Sequence, residues 1–101
     1  MSALPIPVSN DFIAAFCRRN QIRKLSFFGS VLTAKFGPNS DVDMLVEFEL
    51  GAPVSYFDIV TMEMELSNAI GRKVDLRTAE ELSQYFRDQV VASALPQYER
   101  N

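Results

Sequence analysis

Asp41-Val42-Asp43-Met44-Leu45-Val46-Glu47-Phe48-Glu49-Leu50 is the stretch that decides how this chain is read. Its even positions are apolar, and its odd positions are acidic except for Leu45. Such alternation marks residues 41–50 as a strand with one buried and one wet face. Asp41 and Asp43 then project from the same face, one pleat apart. Two like charges so close raise each other's pKa unless a cation lies between them. Hard oxygens of this kind suit Mg²⁺, which takes one or two carboxylates and completes its shell with water and substrate phosphates. The plainer alternative is that Asp41 caps the turn after Ser40 and Asp43 is an exposed strand residue.

Upstream, Lys24 to Phe28 is short and apolar, is compatible with a strand, and stops at Gly29 and Ser30. A glycine there lets a phosphate approach backbone N–H groups, and the Ser30 hydroxyl can add a hydrogen bond. Alone, such a pair means only a turn. Residues 35–40 are rich in turn formers and predict a loop. Earlier, Ser9 or Asn10 can cap a helix with Phe12, Ile13, Phe16 and Cys17 at helical spacing, ending near Asn20. Residues 1–8, with Pro5 and Pro7, read as an extended arm before a single domain over 9–101.

Downstream, Gly51 and Pro53 turn the chain, and Ser55 with Asp58 forms a capping arrangement. Ile59, Met62, Leu66 and Ile70 then recur at helical spacing until Gly71 supplies a C-terminal stop. In residues 72–77, Val74 and Leu76 face away from Lys73, Asp75 and Arg77 if the segment is a strand. Asp75 alone reads as a surface residue paired with Arg72 or Arg77; beside the residue 41–50 strand it can join the other two carboxylates. Thr78 with Glu81 predicts a second capping box, opening a helix with Leu82, Tyr85, Phe86, Gln89 and Val90 that Pro96 ends. The order is helix, strand, strand, helix, strand, helix. This is an α/β (α+β) arrangement, a small mixed sheet flanked by helices. Phe27, Phe28, Phe36, Phe48 and Phe57 are expected in the core.

Composition narrows the chemistry. With 101 residues and 48% hydrophobic content, the chain can build one core without staples. Ten Lys and Arg against 13 Asp and Glu, a net charge of -3, argue against a generic polyanion binder. The basic cluster Arg18, Arg19, Arg23 and Lys24 reads as a solvated helix end. There is no His and only one Cys, which removes His-dependent triads and an internal disulfide. No apolar run could span a bilayer, and residues 1–8 lack a secretory pattern, so a cytoplasmic protein without membrane partners is expected.

Gly29-Ser30, ten intervening residues, Asp41-Val42-Asp43, the apolar Met44-Leu45-Val46 and later Val74-Asp75-Leu76 together resemble the nucleotidyltransferase superfamily of the DNA polymerase beta type. The small size is similar to the minimal nucleotidyltransferase (MNT) family, antitoxins of HEPN/MNT toxin–antitoxin pairs. The resemblance implies that Gly29 and Ser30 bind the nucleotide triphosphate. It further implies that Asp41, Asp43 and Asp75 are the catalytic carboxylates and carry Mg²⁺. Asp75 could accept the proton of the attacking hydroxyl, or a metal could serve instead. The implied reaction is transfer of AMP from ATP to a tyrosine hydroxyl of a cognate HEPN ribonuclease toxin, which silences it. The sequence departs from relatives that carry Arg soon after the Gly-Ser pair: here Val31, Leu32 and Thr33 follow, and Lys35 is the first cation. Two alternatives therefore stand: a noncatalytic antitoxin that docks on the HEPN toxin, and a nucleotidyltransferase acting on a small molecule or RNA end.

Overall fold

The computed structural model describes residues 8–33, 37 and 39–100. Residues 1–7 of the expected 1–8 arm, and Lys35, Phe36 and Pro38 of the 35–40 loop, lie outside the described residues. The first helix, α1 (Asn10–Arg19), starts where the Ser9 hydroxyl accepts a hydrogen bond from the Phe12 N–H at 3.1 Å, and ends at Asn20. A strand, β1 (Ile22–Phe28), runs into a single 3-10 turn over Gly29–Leu32. The alternating stretch forms β2 (Val42–Phe48), with Val42, Met44 and Val46 buried as its parity requires. The second helix, α2 (Tyr56–Ile70), opens with a reciprocal Ser55–Asp58 capping box and closes at Gly71 in the left-handed region. It delivers the chain to β3 (Val74–Arg77), parallel to β2.

The core lies between one sheet face and the two long helices. Ile13, Phe16 and Cys17 of α1 and Met62, Leu66 and Ile70 of α2 pack with Ile22, Leu25, Phe27, Val42, Met44, Val46, Val74 and Leu76. Each fully buried Leu, Ile or Phe contributes about 1.5–3 kcal/mol of transfer free energy. Val8 and Phe48 sit at the cluster's edge.

Several expectations are corrected. The Thr78–Glu81 box forms, but it caps only a 3-10 turn over Ala79–Glu81. The last helix, α3 (Arg87–Ser93), begins later because the intervening carbonyls have another partner. The Arg87 guanidinium donates to the carbonyls of Ala79 at 2.7 Å, Leu82 at 3.0 Å and Glu80 at 3.2 Å, satisfying a turn rather than a helix. Second, Pro96 does not end that helix; it lies inside a fourth strand, β4 (Leu95–Glu99), antiparallel to β1. The sheet order is β3-β2-β1-β4, so β4 is an edge strand, and a register shift between Leu25 and Ser26 opposite it accommodates the proline. Third, Leu50 is fully exposed because β2 has already ended at Phe48 and the chain is turning. Phe57 is likewise exposed, off the buried stripe of α2. The sheet is nevertheless mixed and helix-flanked, as expected.

Leu45 breaks the alternation for a physical reason. It lies on the face away from the core, yet Val91 and Ala94 share a cleft with it and with Ser26 and Glu47. The α3 segment thus roofs part of the second face, leaving Ser26 buried and Leu45 half-buried.

Candidate active site

One row of side chains crosses the sheet face opposite the core. Phe28 of β1 is the register partner of Asp43 on β2, and Asp43 is the register partner of Asp75 on β3. Residues directly opposite one another in adjacent strands share a face, so Phe28, Asp43 and Asp75 stand side by side on the face opposite the core. Arg77, two residues beyond Asp75, belongs to the same face. The chain reverses immediately after Phe28 at Gly29, whose φ of +79° is readily adopted only by glycine. A Cβ added there would fall 2.5 Å from Asp43 Oδ2, so the missing side chain is the space the carboxylate occupies. Ser30 follows within the 3-10 turn, with its carbonyl accepting from the Thr33 N–H at 2.9 Å.

Asp41 lies just outside β2, and its carboxylate is 3.9 Å from Lys73 Nζ. It is near enough to act on Asp43, whose pKa is raised above the ordinary carboxylate value. Burial is the largest cause, followed by the charges of Asp75 and Asp41, with Arg77 pulling the other way. The structure therefore brings Asp43 and Asp75 onto one rung, places Gly29 against Asp43, and leaves Asp41 beside them, facing Lys73. Among the described residues no three acidic, Cys or His side chains are already closed into a metal-holding cluster. Two carboxylates on one rung are a donor set that fits Mg²⁺, which fills its remaining positions with water and phosphate oxygens.

Sequence reasoning missed the devices that hold Asp75. Because β3 is an edge strand, its outward N–H groups need partners. The Ser67 hydroxyl accepts from the Val74 N–H at 3.0 Å, and the Glu63 carboxylate accepts from the Leu76 N–H at 2.7 Å. Both acceptors come from α2, and they bracket Asp75 on either side. Helical spacing places Glu63 and Ser67 one turn apart, a signal present in the sequence but uninterpretable without the strand's edge position.

Residues 9–95 match the family model described as "Nucleotidyltransferase domain". This chain belongs to that nucleotidyltransferase family. A Methanocaldococcus jannaschii protein provisionally named a protein adenylyltransferase is 30% identical to this nucleotidyltransferase over 77 residues, which are 76% of this chain and 81% of the relative. A solved structure provisionally described as a minimal nucleotidyltransferase aligns with a TM-score of 0.71 at 29% identity, covering 86% of this chain and 87% of its own. A toxin–antitoxin crystal structure with AMP-PNP aligns with a TM-score of 0.73 at 21% identity, covering 93% and 76% of the two chains. A complex of a tri-AMPylated Shewanella oneidensis HEPN toxin with its MNT antitoxin gives a TM-score of 0.64 at 20% identity, over 90% and 70%. The last two likenesses establish the fold. Nucleotidyl transfer is the activity of the family, and the 29%-identical neighbour makes this nucleotidyltransferase similar to a minimal member of it.

Proposed function

We propose that this nucleotidyltransferase is a Mg²⁺-dependent antitoxin enzyme that transfers AMP from ATP to a tyrosine hydroxyl of a cognate HEPN toxin. The observation that carries the reading is the shared rung of Asp43 and Asp75 with Gly29 cleared against Asp43. In this reading Gly29 and Ser30 hold the triphosphate, while Asp41, Asp43 and Asp75 hold the metal. Magnesium, when bound, neutralises charge on the phosphates and on the departing pyrophosphate. The tyrosine oxygen forms a bond to the α-phosphorus, the bond from that phosphorus to the bridging oxygen breaks, and pyrophosphate leaves. Asp75, on the open edge of the row, takes the tyrosine proton. Support for the AMP group comes from the Methanocaldococcus jannaschii relative, provisionally named an adenylyltransferase, and support for the HEPN acceptor from the structural neighbour bound to a tri-AMPylated HEPN toxin. An ATP-dependent reaction of this kind belongs in the cytoplasm, and no described helix is long and apolar enough to cross a membrane.

The test is to incubate the protein with ATP, Mg²⁺ and the HEPN partner and weigh the partner intact. Mass increments of one or more AMP groups, absent with the Asp41→Asn/Asp43→Asn double variant, are the expected result. A second reading, neutralisation by docking alone, is favoured by the exposed apolar side chains of Phe86 and Val91 in the C-terminal segment. It wins if that double variant still protects cells from the toxin.

A further inference from the structure

A cavity of about 610 Å³ opens beside the carboxylate row, lined by Phe28, Gly29, Leu32 and Thr33 on one side and by Gln89, Val90 and Ser93 of α3 on the other. Its volume falls within the range of small-molecule sites. Gly29 connects it to the carboxylates, because its backbone borders the cavity while abutting Asp43 Oδ2. Phe28 does the same one residue earlier: it lines the cavity and is the register partner of Asp43. The cavity is thus within reach of the rest of a ligand whose reacting phosphate sits at Asp43 and Asp75.

The lining matches a purine. Phe28, Leu32 and Val90 are half-buried apolar side chains, suited to the faces of a flat ring. Gln89 contributes an amide with a donor and an acceptor side by side, the pair that adenine's N6 and N7 edge requires; guanine offers two acceptors there.

We propose that the cavity between the Gly29–Leu32 turn and α3 receives the adenine ring of the nucleotide, with Phe28 and Val90 against the ring and Gln89 reading its edge. The assignment rests on the nucleotidyl-transfer reading above and adds to it the residues that choose the base. Two of them, Gln89 and Val90, come from α3, a segment the carboxylate motif does not include.

The experiment is calorimetric titration of the intact protein with Mg-ATP and Mg-GTP, without an acceptor, so that binding is read and turnover is not. Wild-type protein should prefer ATP by at least about fivefold, the low end of what one paired amide discriminates. Gln89→Ala, at an exposed position that folding tolerates, should lose that preference. Val90→Trp, which fills the cavity, should weaken ATP by at least about tenfold with its circular dichroism spectrum unchanged. Retention of wild-type affinity by Val90→Trp, or of the ATP preference by Gln89→Ala, overturns the assignment and leaves nucleotidyl transfer standing. Failure of the wild-type protein to bind either nucleotide overturns the functional reading itself.

Discussion

The Glu63 carboxylate accepts a 2.7 Å hydrogen bond from the backbone N–H of Leu76, reaching from α2 to the outer edge of β3. It does for the sheet what a fifth strand would do, and it fixes the backbone one residue from Asp75. Glu63→Ala removes a charged acceptor from a part-buried donor and is expected to cost about 1–3 kcal/mol of stability, measured by urea unfolding. Glu63→Gln keeps an acceptor and should recover more than half of the loss. An alanine variant as stable as the parent would mean that water serves Leu76 equally well.

Gly29→Ala separates conformational strain from the site. The positive φ alone costs about 1–2 kcal/mol for a residue with a Cβ. The new methyl also drives the Asp43 carboxylate from its place. Displacement of a reacting group by about 1 Å can cost about a hundredfold in rate. The expected variant is therefore folded, slightly less stable and at least tenfold slower in nucleotidyl transfer. Activity within twofold of wild type would show that Asp43 need not occupy its present position.

Asp43 should oppose folding stability at neutral pH. Its folded pKa is raised above 3.8, so its favourable contribution is complete below that value and is lost as pH rises through the raised value. Asp43→Asn is accordingly expected to melt at a higher temperature than wild type at pH 7 in chelator, with the difference closing in acid. Added Mg²⁺ should raise the melting temperature of wild type and leave the variant unmoved. A variant that melts lower at pH 7 would contradict the cost of burying the Asp43 charge and of its repulsion by Asp75 and Asp41.

Cys17 reports on the core. Burial pushes its thiol up from 9.0 to about 12, with Arg18 pulling weakly the other way. The group stays protonated in the native state across a window in which the unfolded chain loses its proton. Its contribution to stability is full below about pH 9 and disappears towards pH 12. Unfolding midpoints measured across that window should fall more steeply for wild type than for Cys17→Ala. Native protein should also resist a thiol reagent at pH 8 that reacts promptly once urea is added.

Where local chemistry sufficed, the sequence was legible. Ser55 with Asp58, the Met62-Leu66-Ile70 stripe, Gly71 and the parity of Val42, Met44 and Val46 are all signals carried within a few residues, and each appears as read. The acidic row was legible for the same reason: parity fixes the face of Asp43 and Asp75, and only their adjacency had to come from the fold. The region after Glu81 was not legible, because its conformation depends on distant partners. Arg87 reaches back to three carbonyls, and residues 95–99 form a strand only because β1 has an unpaired edge. The cavity lined by Gln89 follows from that docking and leaves no trace in local pattern. Leu45 was the one visible hint, an apolar residue on a polar face that α3 covers.

The pairing of β1 with β4 also has a temporal side. Leu25 meets Tyr98, so β1 gains its second neighbour only after nearly all the intervening chain has been made and ordered. Closing so wide a loop is entropically costly before contacts reward it, and topologies of this kind fold slowly. During synthesis, β1 waits with a bare edge while the ribosome completes the rest, an interval in which a chaperone or another nascent chain can reach it first.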